Sequence, residues 1–402
     1  MLETLQRESF RYFLTNVNLG NGLIADNTLN SSYASIAATG FALACYPVAV
    51  ERSFIDRRSA RERTLAALRF FANSEQSENE NASGYKGFYY HFLDMKTGRR
   101  ARQCEVSTID TALLLAGVLT VGMYFDRAIA SEREIVRLAE ELYRRVDWRW
   151  AQNCGNTVSH GWKPESGFLP YRWEGYNEAL VLYILGLGSP TYPLSMESYA
   201  AWSKTYQWKK FYGYEFLYCG PLFMHQFSHQ WIDFRGIQDM FMTGKGIDYF
   251  ENSRRAVRVH QGYAIRNPKQ FRGYDEYGWG ISASDGPNFL YRARSIPWGP
   301  DDGTLSPAAV VSSLPFEPEL VFRTIESIRN RYPMMVAQYG LSRSFNPSIA
   351  WVSAMTYGIE QGPVVTMIEN YRTEFLWSLM RQCPCIISGL RQAGFHGGWL
   401  AF

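Results

Sequence analysis

Apolar residues recur every three or four positions through most of this chain, the spacing that lines one face of a helix. The pattern predicts helices over 5–14, 35–50, 61–74, 109–124, 132–146 and 176–187, then over 221–233, 246–260, 307–314, 318–331, 351–357 and 363–380. Between them lie connections rich in Gly, Pro and aromatic residues, notably 159–172, 267–285 and 291–304. No apolar/polar alternation runs longer than a few residues, which disfavours a doubly wound sheet. Helices alternating with long loops match an all-α toroid, in which inner and outer helices pair and the loops at one end build a site.

Composition narrows this picture. With 402 residues, 46% hydrophobic and 20% charged, the chain can bury a large core, and we expect one domain spanning 1–402 because closed barrels often exceed the usual domain length. The formal charge of +3 is spread without a basic block, so neither nucleic acid nor an anionic membrane is implied. The six cysteines (Cys45, Cys104, Cys154, Cys219, Cys383, Cys385) are scattered and read as free thiols rather than a disulfide framework. The first residues have no apolar signal core, and no run of about 18 apolar residues occurs. The chain reads as soluble, with cytoplasmic and periplasmic locations and the oligomeric state left open.

The chemistry is concentrated where acids, aromatics and glycines coincide: Trp173-Glu174-Gly175-Tyr176-Asn177-Glu178, Tyr277-Gly278-Trp279-Gly280 leading to Asp285-Gly286-Pro287, and Tyr357-Gly358-Ile359-Glu360-Gln361-Gly362-Pro363. Pyranose rings stack their C–H faces on aromatics, their hydroxyls need Asp, Glu, Gln and Arg, and glycosidic cleavage usually needs two carboxyl groups. Most of the aromatic residues, 16% of the chain, belong to the core in any protein of this size. The rest point to a sugar cleft. Phosphate-binding loops, the Gly-x-Ser-x-Gly elbow and dinucleotide fingerprints are absent, and no cofactor is expected. His225 and His229 have i, i+4 spacing but lack the Glu of a His-Glu-x-x-His motif, so hydrogen bonding is favoured over a metal there.

Several segments carry a family resemblance: Phe88-Tyr89-Tyr90-His91-Phe92, Ser107-Thr108-Ile109-Asp110-Thr111-Ala112, the stretch from Gly220 through His225 and Gln226 to His229, Asp302-Gly303-Thr304, and Gly358 to Pro363. By these the chain resembles the glucoamylase-like family of bacterial proteins related to endo-β-1,2-glucanases, from Ser35 to Arg372. The resemblance implies an (α/α)6 barrel and inverting hydrolysis of β-1,2-glucan or its oligosaccharides, with β-glucan as the partner. Transglycosylation that cyclises the same glucan, and non-catalytic glycan binding, are the competing readings.

The resemblance places the general acid at Glu178, with Glu174 as its competitor; the plainer reading of Glu178 is a first-turn carboxylate interacting with the helix dipole. Glu360 matches the position from which relatives, many with Asp there, activate water, and otherwise reads as a helix cap. Asp285 is the rival base, or a turn former bonded to its own backbone. Asp110, an acid in an apolar helix, is costly to bury unpaired and so should face the pore; related glucanases carry an acid near it in the catalytic centre. Glu105 is its cap or a second sugar ligand. Trp162, Trp173, Tyr176, Tyr277 and Trp279 are stacking candidates, Arg172, Gln361, His225 and Gln226 candidates to hold hydroxyls, and Asp233 with Arg235 a structural ion pair.

Overall fold

The computed structural model describes residues 1–29, 32–287 and 291–401. Its helices in chain order are α1 (Leu2–Thr15), α2 (Ile36–Glu51), α3 (Arg57–Asn73), α4 (Thr108–Tyr124), α5 (Ala130–Arg144), α6 (Trp148–Ala151), α7 (Leu180–Leu187) and α8 (Met196–Ser203). They continue with α9 (Met240–Lys245), α10 (Tyr249–Arg266), α11 (Pro307–Ser312), α12 (Pro318–Arg331), α13 (Gly358–Thr373), α14 (Phe375–Met380) and α15 (Pro384–Gln392). The protein is mostly helical.

Two kinds of helix alternate along the chain. In α2, α4, α7 and α11 nearly every residue is buried, because they are apolar all round and have no face to give to water. In α1, α3, α5, α10 and α12 burial is confined to one stripe, such as Ile135, Leu138, Ala139 and Leu142 of α5. The buried helices are one another's neighbours: α13 packs on α2, α2 on α4, α4 on α7, and α11 on α13, while α1 backs α13, α5 backs α4 and α15 backs α7. Gly40 of α2 and Gly117 of α4 let the backbones touch, since a Cβ on Gly117 would lie 2.0 Å from the Gly40 carbonyl oxygen.

The helical periodicity over-reads two segments. Residues 221–233 form two 3₁₀ turns, Leu222–His225 and Ser228–Gln230, and close the gap between α7 and α11 through Val181 N–H to Ser228 Oγ and Gln226 Nε2 to the Ala309 carbonyl. Residues 351–357 are extended rather than helical. The predicted helix over 363–380 is two helices, begun earlier at Gly358 and broken at Glu374, whose φ of 58° stops α13. Helices α6, α8, α9 and α15 lie outside the predicted segments.

Short strands are also present. The order β2 (Gly84–Tyr85), β3 (Phe88–Tyr90), β5 (Val106–Ser107), β6 (Gly161–Lys163), β7 (Gly167–Phe168) makes an antiparallel sheet, beside a pair formed by β1 (Tyr33–Ser35) and β4 (Phe92–Asp94). Further pairs are β8 (Trp208–Phe211) with β9 (Tyr214–Leu217), β10 (Ala283–Ser284) with β11 (Arg292–Ala293), and β12 (Phe345–Asn346) with β13 (Trp351–Val352). No helix among the described residues is long and apolar enough to cross a membrane.

Candidate active site

The ends of the buried helices converge on a cavity of about 240 Å3, whose polar lining includes His91, Asp110, Glu178, Gln226 and Glu360 and whose apolar lining includes Ile109, Leu113, Phe223 and Phe227. A second cavity of about 540 Å3, lined by Asp26, Arg102, Met355 and Tyr357, shares His91, Tyr291 and Ile359 with the first. Together they form one cleft with a narrow, acidic inner part and a wider outer part.

Glu178 sits in the turn just before α7, two residues ahead of Leu180. One carboxyl oxygen, Oε2, is buried without a partner. Burial is the largest influence on this group and, with the nearby charge of Asp110, pushes its pKa up to about 7 against an opposing backbone hydrogen bond. A carboxyl that holds its proton near neutrality suits a proton donor.

Glu360 stands in the first turn of α13, but it caps nothing: Oε1 is buried and unpartnered. Burial first, then the charges of Asp285 and Asp26, hold its pKa well above the usual carboxylate range, with only Arg294 opposing. Asp285 lies behind it, 2% exposed and outside the lining of either cavity. Its Oδ2 accepts from Ser353 Oγ at 2.6 Å rather than from its own backbone. Arg294 is fully buried, forks onto Asp302 and donates to the Ser284 carbonyl. The aspartate that raises Glu178 is Asp110, whereas those that raise Glu360 are Asp285 and Asp26.

Asp110 reaches the cavity from the first turn of α4. Ser107, the N-cap, accepts from the Asp110 backbone N–H and returns its hydroxyl to Asp110 Oδ2, a local arrangement of the capping-box kind. Opposite stands His91, the single residue between β3 and β4. Its N–H donates to the Glu105 carbonyl, its own carbonyl accepts from Ile36 N–H at the start of α2, and its ring stacks on Phe92 with centroids 4.0 Å apart. Nδ1 lies 3.1 Å from Glu105 Oε1, and Nε2 lies 3.7 Å from Asp110 Oδ2. Burial alone would lower its pKa, but the charges of Asp110, Glu105 and Asp26 and the Glu105 hydrogen bond raise it to about 9.

Four of the expected site residues, Glu178, Glu360, Asp110 and Gln226, line the cavity; the Gln226 amide NH2 is spent on Ala309 and Ser313. The stacking candidates do not. Trp279 is 1% exposed and donates its indole N–H to Thr324 Oγ1. Trp173 donates to Thr108 Oγ1 and stacks on His160. Tyr176 packs against Tyr206, His225 and Tyr249, and Trp162 against Tyr85 and Trp150. Tyr277 is partly buried in the packing around α10 to α12. Arg172 ties down the carbonyls of Gln152, Asn153 and Thr157, and Gln361 is fully buried. His225 and His229 are buried and bond the Cys219 carbonyl and Ser253 Oγ. Asp233 and Arg235 form the expected ion pair, joined by Glu374 and Arg381. Sequence reasoning missed His91 and Tyr291, the latter packed on Tyr357 with centroids 4.7 Å apart. The available signal was the histidine inside the Phe88–Phe92 aromatic run.

The chain is similar to several known proteins. It is 27% identical over 427 residues to an exo β-1,2-glucooligosaccharide sophorohydrolase (non-reducing end) of Parabacteroides distasonis, an alignment that covers 98% of this chain and 57% of the relative, so the chain spans little more than half of that protein. A solved structure from Bacteroides uniformis, bearing a provisional glucoamylase label, superposes with a TM-score of 0.91 at 30% identity and covers 99% of this chain and 98% of its own. An endo-β-1,2-glucanase of Chitinophaga pinensis, solved with sophorotriose and glucose, gives a TM-score of 0.91 at 26% identity over 99% and 98% of the two chains. A family model matches residues 170–384, more than half of the sequence, and the chain belongs to that family, the glycoamylases.

Proposed function

We propose that this chain is a glycoside hydrolase that cleaves β-1,2-linked glucan or its oligosaccharides with inversion at the anomeric carbon, as a single (α/α)6-barrel domain. The alternation of buried and one-sided helices supports the barrel, with α2, α4, α7, the 222–230 turns, α11 and α13 as the inner ring. The observation that carries the activity is a pair of unpartnered carboxyls, Glu178 and Glu360, on one cavity; the glucan-cleaving relatives supply the linkage.

In this reading Glu178 donates its proton to the glycosidic oxygen, and Glu360 takes a proton from the attacking water. A water attacking from the opposite ring face needs the wider carboxyl separation of inverting enzymes, about 6.5 to 9.5 Å, rather than the roughly 5 Å of retaining ones. Burial and acidic neighbours raise the pKa of both groups, which favours a protonated Glu178 and opposes the ionised Glu360 that the reaction needs. Sugar hydroxyls or water donating to Glu360 would favour its charged form, with Arg294 helping. Asp285 then acts behind Glu360, as the charge that tunes it.

Incubation with linear β-1,2-glucan should release new reducing ends, the first-formed product should carry the α configuration by NMR, and Glu178→Gln should cut the rate by about 10²- to 10⁴-fold. Products without new reducing ends would mean transglycosylation. No product from any β-1,2-linked substrate would overturn the reading.

A further inference from the structure

Among the described residues His91 is the one cationic side chain lining the inner cavity, and it lies at the junction with the outer one. Three features fix the ring. Phe92 covers one face, Nδ1 is engaged by Glu105, and the backbone on both sides is tied, to Glu105 and to the first N–H of α2. What remains is the Nε2 edge. It points toward Asp110 Oδ2 across 3.7 Å, too far for a direct hydrogen bond. A hydroxyl oxygen placed to one side of that gap sits about 2.8 Å from both atoms, accepting from Nε2–H and donating to the carboxylate. Side-chain exposure of 33% for His91 against 9% for Asp110 means such a hydroxyl must arrive from the cleft.

We propose that His91 and Asp110 clamp one sugar hydroxyl between them where the two cavities meet, with His91 acting as a charged substrate-positioning residue held in place by Glu105. The inference rests on the glucan-hydrolase reading. The groups that face His91 are Glu105 from the loop before β5, Asp110 from α4, Asp26 from the segment before β1 and, opposing them through Asp26, Arg102. Acids outnumber the cation, so His91 keeps its charge, and its donor, until the pH rises through about 9.

The test uses Glu178→Gln, which stops turnover without touching the clamp, and calorimetric binding of a β-1,2-linked gluco-oligosaccharide from about pH 7 to about pH 10. Binding should weaken as the pH passes about 9. Adding His91→Gln should weaken binding at neutral pH by about 10- to 100-fold and abolish the alkaline decline. Adding Glu105→Gln instead should leave the decline in place but move it to lower pH, because one of the three carboxylates that hold the proton on His91, and the one hydrogen-bonded to it, is gone. Should His91→Gln fail to fold by thermal melting, the Glu105→Gln shift decides. Unchanged binding in the His91 variant, or an alkaline decline that ignores both substitutions, overturns the clamp while leaving the hydrolase reading intact. If Glu178→Gln binds no β-1,2-linked sugar and the wild type cleaves none, the hydrolase reading falls and the clamp falls with it.

Discussion

On the wall built from the β3–β4 junction and the start of α4, Glu105 and Asp110 share His91 between them, and Ser107 completes the coordination of Asp110. On the wall built from the start of α13, Glu360 has an orphaned oxygen, two acidic neighbours and one guanidinium already committed to Asp302. The first wall gives each of its two carboxylates a partner and is suited to holding a fixed geometry. The second is left unbalanced, and the imbalance is concentrated on a group whose proton has to move. Burial costs both walls alike; the difference lies in who supplies the counter-charge.

The comparison breaks hardest at Arg294. Replacing it with Met leaves the partly buried Asp302 with Arg292 as its remaining guanidinium and removes the cation that opposes the raised pKa of Glu360. Because Arg292 keeps its hold on Asp302, the cost should fall below the ~3–5 kcal/mol of a fully broken buried pair, which denaturant unfolding will read, and the folded fraction should turn over more slowly because Glu360 ionises less readily. Asp285→Asn acts in the opposite direction. Without that negative neighbour the pKa of Glu360 falls, so the acid limb of the pH–rate profile should move to lower pH; a limb that stays put would separate Glu360 from the base role.

The smallest effect concerns stability. A carboxyl whose folded pKa is raised destabilises the fold above its unfolded value, so Glu360→Gln should raise the melting temperature at about pH 8 while reducing activity. In that background, a different cluster becomes visible. Burial lowers the pKa of His225 to about 4 and of His229 and His260 to about 3. Groups with depressed histidine pKa values give stability that is whole above about 6.5, the unfolded value, and is lost as the pH falls toward the folded ones. Melts of Glu360→Gln should therefore decline from about pH 6.5 downward, and a flat profile would mean these histidines are already hydrated.

Much of the architecture was legible because apolar spacing reports burial directly: the helices expected over 35–50 and 109–124 are α2 and α4 to within a residue at each end. The turns at Leu222–His225 and Ser228–Gln230 were not legible, since short 3₁₀ pieces carry the same residue types as a helix and owe their form to contacts with α7 and α11. Asp110 stood out as an acid in an apolar helix, and Glu178 and Glu360 through the family resemblance of the motifs that carry them. Trp173 and Trp279 misled because a tryptophan satisfied inside a core looks, in sequence, like one offered to a sugar. His91 escaped because nothing local announces that Glu105 and Asp110 fold back beside it.

The Gly40–Gly117 contact reaches further than packing. Helix α2 presents its first N–H to the His91 carbonyl, and α4 carries Asp110 two turns before Gly117, so the separation of these helices is also the gauge of the 3.7 Å gap at the junction of the cavities. A single methyl group at either glycine, which would collide with backbone on the opposite helix, would wedge that gauge open from below. The aperture offered to a sugar is thus machined at a joint that no sugar touches, and variation in the rim loops alone cannot rebore it.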